Sequence, residues 1–238
     1  MTDIFKDELK LSATQADIPN FINPKYLSGD NEKYMKMYNW MSPGYDIVET
    51  IVGKLKYGNQ VNLMRQTIMN KLEWKDGINV LYVSIGTGKD LEFIPTHIDK
   101  TKINIFGADI SIGMLKKCKK NFQNKFKLTL INCCAEDLPF KDNSFDIVFH
   151  VGGLNFFNDK KKAIDEMIRV AKCGTKLLIA DETNDLIEKQ YRKSNFSKIY
   201  FKDASVDLTA IERLTPELER QIEILWDEKF YCITFRKK

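Results

Sequence analysis

The sequence predicts an α/β fold, a doubly wound and mostly parallel seven-stranded sheet with a C-terminal antiparallel hairpin. Three observations carry this. The run Val80–Gly88 is apolar and then breaks into glycines, as a buried strand ending in a tight turn does. A second run, Ile103–Phe106, leads into Gly107-Ala108-Asp109 after the interval that one βαβ step requires. Near the carboxyl end, Gln221–Trp226 and Lys229–Arg236 are β-rich and separated only by Asp227-Glu228. That spacing suits an antiparallel hairpin better than a parallel crossover.

The elements follow in order. Residues 1–30 are mixed and polar, with Pro19 and Pro24 and no sustained period, so they read as a loose lead-in or a lid. From Asn31 to Leu72 the pattern is helical, interrupted by Ser42-Pro43-Gly44: Tyr34, Met37, Tyr38 and Met41 recur at helical spacing, then Ile47, Ile51 and Leu55, then Val61, Met64, Ile68 and Leu72. Strands and helices then alternate: strand Val80–Ser84, helix near Leu91–Ile98, strand Ile103–Asp109, and a helix opening at the N-cap Ser111. Strand Leu128–Cys133, turn Asp137–Asn143, strand Phe145–His150, helix Lys160–Ala171 and strand Lys176–Ala180 complete the parallel part. The expected organisation is a helical lead-in or lid over residues 1–72 and a sheet domain over 73–238.

Composition narrows the function classes. At 238 residues, 43% hydrophobic and 29% charged, the chain has the profile of an ordinary globular protein. No run approaches the roughly 20 apolar residues of a membrane span, and the charged start Met1-Thr-Asp-Ile-Phe-Lys-Asp-Glu has no apolar signal core. A cytoplasmic address is expected. The net charge of +4 is mild, and Lys116-Lys117-Cys118-Lys119-Lys120 and Lys160-Lys161-Lys162 read as solvated helix faces, so no nucleic-acid partner is expected. The five cysteines, Cys118, Cys133, Cys134, Cys173 and Cys232, match no zinc spacing and read as reduced structural thiols. No metal is expected. Cys133-Cys134 invites an arsenite reading, but neighbouring strand residues point to opposite faces.

The glycine turn and Asp109 point to a nucleoside-containing cofactor at the carboxyl edge of the sheet. Glycines at 86 and 88 admit a ligand close to the backbone, and a carboxylate at the next strand tip suits a ribose diol. The plainer alternatives are a simple strand-to-helix turn and a helix cap, although Ser111 already supplies the cap. Glu136 reads equally well as a solvated loop carboxylate. His150, ending a strand at the same edge, is either a proton acceptor or a hydrogen-bonded structural histidine.

Four landmarks in order carry a family resemblance: Val80–Gly88; Gly107-Ala108-Asp109-Ile110-Ser111 with Met114-Leu115; Ala135-Glu136-Asp137-Leu138-Pro139-Phe140 with Asn143-Ser144-Phe145-Asp146; and Glu166–Gly174. Together they resemble the class I S-adenosylmethionine-dependent methyltransferases, over roughly residues 34–183. The likeness is strongest to the branch of quinone-biosynthesis C-methyltransferases and bacterial phospholipid N-methyltransferases. The resemblance implies the Rossmann-like fold of those enzymes and S-adenosyl-L-methionine as cofactor. By the same analogy Ser84, Gly86 and Gly88 line the turn under the methionine part, Asp109 binds the ribose, and Ile110 packs on adenine. Ala135 and Glu136 reach the adenine edge, His150 and Val151 border the sulfonium and the acceptor, and Tyr45, of the pair Tyr45-Asp46, either lies beside the cofactor or serves in core packing or lid contact. The chain departs from the family pattern at Tyr82, which stands where an acid is usual, at Ser84 in place of the first glycine, and at Cys134 and Cys173.

The expected activity is methyl transfer by in-line displacement to a small-molecule or lipid-like acceptor. Because the donor brings an activated methyl group, the protein mainly orients the reactants, which removes about 7–11 kcal/mol of barrier when geometry is near ideal. His150 is the candidate base if the acceptor loses a proton. Tyr34–Tyr45 and Asn155-Phe156-Phe157 are candidates to line an apolar acceptor pocket. The alternatives are a binder of the same fold that has lost catalysis, and a nicotinamide oxidoreductase. The latter lacks its third glycine, since Leu91 stands there.

Overall fold

The computed structural model describes residues 4–7, 13–15, 17–191 and 206–238. Part of the lead-in, residues 1–3, 8–12 and 16, lies outside the described residues, as does 192–205. Two short strands, β1 (Ala13–Gln15) and β2 (Ile18–Asn20), precede three helices, α1 (Gly29–Met41), α2 (Tyr45–Tyr57) and α3 (Gln60–Asn70). Then come β3 (Asn79–Val83), β4 (Asn104–Asp109), α4 (Ile112–Phe122), β5 (Lys127–Asn132), β6 (Ile147–Val151), α5 (Lys160–Val170) and β7 (Lys176–Glu182). The chain closes on β8 (Gln221–Leu225) and β9 (Phe230–Arg236).

One sheet holds the nine strands in the order β1-β2-β5-β4-β3-β6-β7-β9-β8. Pairing is parallel from β5 through β7, and β9 runs antiparallel to both β7 and β8. The seven strands read from the sequence are present, and the C-terminal hairpin is among them. Alternate residues of β3 feed two apolar clusters on opposite faces, Val80 and Tyr82 in one, Leu81 and Val83 in the other. A strand covered on both faces has to be apolar at every position, which is why Val80–Val83 reads as a continuous run. Strand order reverses at β3, which pairs with β4 on one side and β6 on the other. Ligands of open α/β sheets bind at such a switch point, outside the carboxyl ends of the strands.

Two expectations are corrected here. The first crossover is not an α-helix over Leu91–Ile98; it is a 3₁₀ turn, Lys89–Phe93. Ile94 is extended, at φ −55° and ψ 130°, as the residue before Pro95 must be. The sheet also gains an edge the sequence did not suggest. β2 lies parallel to β5 through Asn20 and Asn132, and Phe21 N–H donates to Asn132 C=O at 2.8 Å. With only three residues, one of them Pro19, β2 carries no periodic signal.

Helix starts follow the local chemistry. Ser111 Oγ accepts from Met114 N–H at 3.2 Å and Asp159 caps α5 by accepting from Lys162 N–H at 2.9 Å. By contrast α2 leaves Ile47, Val48, Ile51, Val52 and Leu55 exposed, with Trp40 and Leu63 beside them. No helix among the described residues is long and apolar enough to cross a membrane.

Gly88 shows how tightly the first turn is packed. It sits at φ +81°, and an added Cβ would stand 2.8 Å from Cys118 Sγ and 2.9 Å from the Phe122 ring. Left-handed backbone and overpacking each cost on the order of 1–3 kcal/mol. Gly88→Ala is therefore expected to destabilise by at least about 2 kcal/mol, a fall in Tm of roughly 4–8 °C, checked by thermal unfolding.

Candidate active site

The carboxyl ends of β3, β4, β6 and β7 open into a cavity of about 760 Å³, roofed by α1–α3 and flanked by the β8–β9 turn. Its floor is the turn after β3. Ser84 and Gly86 both have φ +56° and Gly88 has φ +81°, so three positions of this turn are left-handed. Ser84 thus takes the conformation for which glycine is favoured, a local strain of about 1 kcal/mol that the surrounding bonds hold in place. Ile85 N–H donates to Ala108 C=O at 3.1 Å, and Gly86 N–H donates to Asp109 Oδ2 at 2.8 Å. The glycine turn and the carboxylate are therefore one structure.

Asp109 is held on both oxygens, since Oδ1 accepts from Ser111 N–H at 2.7 Å. Burial pushes its carboxyl up to about 6, opposed by the Ser111 and Gly86 N–H groups. Each carboxylate oxygen carries two acceptor sites, so one on each remains for a ligand hydroxyl. The loop beyond it is clamped by Asn132, whose Nδ2 donates to the carbonyls of Asp109 and Ile110, both at 2.9 Å. Asn39 of α1 accepts from Ser111 Oγ at 2.8 Å and from Gly113 N–H at 2.9 Å. Gly113 permits this approach, because a Cβ there would stand 2.6 Å from Ser42 Oγ.

Eight of the ten residues expected at the site line the cavity: Tyr45, Ser84, Gly86, Asp109, Ile110, Ala135, Glu136 and Val151. Glu136 is not a solvated loop carboxylate. It is 1% exposed, and its Oε1 accepts from Asn31 Nδ2 of α1 at 2.9 Å. Gly88 is not among the lining residues; it packs against Cys118 and Phe122 instead. The expectation that His150 borders the acceptor is corrected on the same ground. Its ring is fully buried, Nδ1 lies 3.1 Å from Val83 C=O, and Nε2 accepts from Leu154 N–H at 2.9 Å. That network assigns the proton to Nδ1 and leaves no nitrogen for a substrate. Burial also lowers its pKa to about 4.

Two carboxylates that drew no notice in the sequence shape the cavity. Asp181, at the end of β7, accepts from Gly153 and Glu182 N–H on Oδ1 at 3.0 and 2.8 Å, and from Asn155 N–H on Oδ2 at 2.8 Å. It thereby fixes the Gly152-Gly153 turn after β6. The acid pair Asp181-Glu182 at a strand tip was the available signal. The second is Asp90, just past Gly88. Tyr82 Oη donates to its Oδ2 at 2.5 Å, and Arg65 Nη1 of α3 lies 2.7 Å from the same oxygen. Arg65 Nη2 pairs with Glu49 Oε1 at 2.8 Å. The phenol missing its family acid is thus itself joined to a carboxylate.

The rest of the wall is aromatic and aliphatic. Tyr34, Tyr38 and Trp40 of α1, Phe156 and Phe157 after β6, and Trp226 and Phe230 of the hairpin all face the cavity, with Val48, Val52 and Met64. Cys133 lines it too, but burial pushes its thiol up, as it does for Cys118, Cys134 and Cys232, so these stay protonated. No cluster able to hold a metal ion occurs among the described residues.

The His150 assignment is open to direct measurement. Histidine in an unfolded chain titrates near 6.5. A depressed native pKa therefore removes stability as pH falls from about 6.5 towards 4, by up to about 3 kcal/mol. Asp109, shifted upwards, acts in the opposite sense, so ring nitrogen NMR shifts isolate the histidine better than melting does. They are expected to show a neutral Nδ1–H imidazole persisting to about pH 5.

Comparison with known proteins supplies relatives in sequence and in fold. The chain is 28% identical to the demethylmenaquinone methyltransferase of Paenarthrobacter aurescens, across 84% of this chain and 79% of that one. It is 37% identical to the ubiquinone/menaquinone biosynthesis C-methyltransferase UbiE of Shewanella piezotolerans, and spans about half of it, 51% of each chain being aligned. In fold it resembles phosphoethanolamine N-methyltransferase 2 of Haemonchus contortus, solved with S-adenosyl-L-methionine, at a TM-score of 0.62 and 21% identity over 86% of this chain and 47% of that one. Residues 27–209 match the ubiE/COQ5 methyltransferase family. The match spans well over half of the sequence, and the chain belongs to this family of S-adenosylmethionine-dependent methyltransferases.

Proposed function

We propose that this protein transfers the methyl group of S-adenosyl-L-methionine to a ring carbon of a quinone-type acceptor, in the cytoplasm. The Gly86–Asp109 hydrogen bond carries the cofactor part of this reading, because it presents a carboxylate with acceptor sites to spare beside a turn a ligand can approach closely. Ser84, Gly86 and Ile110 lie under and beside the adenosyl group, and Ala135 and Glu136 at its base edge. Asp109 takes the ribose hydroxyls. When bound, the cofactor supplies an electrophilic methyl carbon. The chain's part is to align the acceptor with it and exclude water.

The acceptor part rests on the wall of Tyr34, Tyr38, Phe156, Phe157, Trp226 and Phe230 and on the quinone methyltransferases among the relatives. Flat rings stack in such a pocket at offset or edge geometry. Methylation at carbon forms a carbon–carbon bond from the acceptor's electron pair, breaks the donor's methyl–sulfur bond and releases a ring proton, which passes to solvent as product leaves. Among the described residues no histidine lines the cavity. This favours an acceptor already electron-rich on arrival, as a dihydroxy ring is. Val151 and Tyr45 border the space between cofactor and acceptor. The five free cysteines suit a reducing compartment.

Two outcomes test the reading. Incubation with adenosylmethionine and a reduced, isoprenylated demethylnaphthoquinone is expected to give a product heavier by one CH2, a ring hydrogen having been replaced by methyl, with adenosylhomocysteine released in equal amount. Adenosylhomocysteine binding without turnover on any quinol would instead mark a binder that has lost catalysis. The second outcome concerns Asp109. With a carboxyl pKa of about 6 in the free protein, cofactor affinity falls from pH 7 to 5 as the ribose acceptor is protonated. Asp109→Asn flattens that dependence and weakens binding by about 10- to 100-fold, measured by titration calorimetry.

A further inference from the structure

The Tyr82–Asp90–Arg65–Glu49 cluster lies in the cavity wall but takes no part in holding an adenosyl group. Asp90 is 3% exposed and lines the cavity. Its Oδ2 is occupied twice, by Tyr82 Oη at 2.5 Å and Arg65 Nη1 at 2.7 Å. Its Oδ1 is as deeply buried and accepts no hydrogen bond among the described residues. Buried carboxylate oxygens are normally satisfied, so an unmatched one on a cavity wall marks a place for a donor.

Charge narrows the donor. Asp90 and Glu49 share the single guanidinium of Arg65, which leaves one formal negative charge in excess. Lys89, which also lines the cavity, gives its ammonium to Glu92 at 3.3 Å. Tyr82 stays a neutral phenol, since burial and Asp90 push its pKa well up. The cluster therefore suits a cation bearing N–H groups, an alkylammonium. A sulfonium has the charge but no donor hydrogen.

Position in the chain agrees. Tyr82 precedes the Ser84–Gly88 turn and Asp90 follows it, while Gly86, at its middle, is tied to Asp109. An adenosyl ligand held at Asp109 and lying along the turn brings its amino-acid end to this cluster. We propose that Asp90 Oδ1 binds the α-ammonium group of the cofactor's amino-acid end, with Arg65 and Tyr82 fixing the carboxylate from behind. The acid usual at position 82 is thus supplied from position 90, and Tyr82 becomes its support. This rests on the adenosylmethionine reading above.

Three ligands separate the two readings: S-adenosylhomocysteine, its analogue lacking the α-amino group, and 5′-methylthioadenosine, which lacks the amino-acid end. On the wild-type protein the deamino analogue is expected to bind about 10- to 100-fold more weakly than adenosylhomocysteine. Asp90→Asn lowers affinity for adenosylhomocysteine by a similar factor and leaves methylthioadenosine and the deamino analogue within twofold of their wild-type values. Tyr82→Phe, which keeps the carboxylate, retains most of the discrimination. Equal binding of the deamino analogue and its parent by the wild type overturns the proposal without needing a folded variant. Equal loss of all three ligands in Asp90→Asn also overturns it, as a general distortion of the turn. If the wild type binds none of the three, the cofactor reading fails and this proposal falls with it.

Discussion

The site depends on the hydrogen bond from Gly86 N–H to Asp109. It joins the turn after β3 to the tip of β4 at 2.8 Å, and Ser111 N–H takes the carboxylate's other oxygen. Two backbone donors that the turn and the helix start would otherwise leave unpaired are satisfied by one side chain. The strained backbone at Ser84 persists because neighbouring bonds over-determine it: Ile85 to Ala108 on one strand, Gly86 to Asp109 beside it. Asn132 completes the frame by holding the carbonyls of Asp109 and Ile110. The floor of the cavity is thus braced by its own hydrogen bonds, and a preorganised floor lowers the ordering entropy that binding has to overcome.

Around that floor the cavity divides by chemistry. The strand ends and the loops after them contribute carboxylates restrained by specific donors, Asp109 by Gly86 and Ser111 and Glu136 by Asn31, while Asp181, buried behind the wall, accepts from Gly153, Asn155 and Glu182. The helices before the sheet and the hairpin after it contribute rings and aliphatic groups, with Glu49 and Arg65 as the charged exceptions. Such a division follows from the fold. Backbone N–H groups converge where strands end and turns begin, so polar recognition belongs there. Elements added outside the sheet are free to present apolar surface.

Much of this was legible in the sequence because burial leaves a pattern. The strands read as apolar runs, the hairpin as two β-rich runs with a two-residue gap, and the α4 start as a serine before a periodic stretch. Asp109 was legible because its distance from the glycine turn is set by one βαβ step. What escaped acts at long range, and only Asp181, in an acid pair at a strand tip, carries a local signal. Asn39, Asn132 and Asp181 act across separations of 72, 23 and 28 residues, and a single asparagine or aspartate looks the same whether it clamps a loop or faces water. Gly88 and His150 fell on the expected edge, but one residue's rotation turns a side chain from the cavity into the sheet layer. The first crossover deceived for a different reason. Its apolar residues kept a helical interval, while the restriction before Pro95 and the left-handed Gly88 left room for a single tight turn.

α1 meets the rest of the protein through a few polar pins and an apolar contact of Tyr34 and Met37 with Phe156. Asn31 reaches Glu136, and Asn39 reaches Ser111 and Gly113, while Tyr34, Tyr38 and Trp40 between and beside them face the cavity. Anchoring and cavity outline are therefore written in different letters of one helix. A change at Tyr38 or Trp40 reshapes the cavity and leaves the pins to Glu136, Ser111 and Gly113 in place.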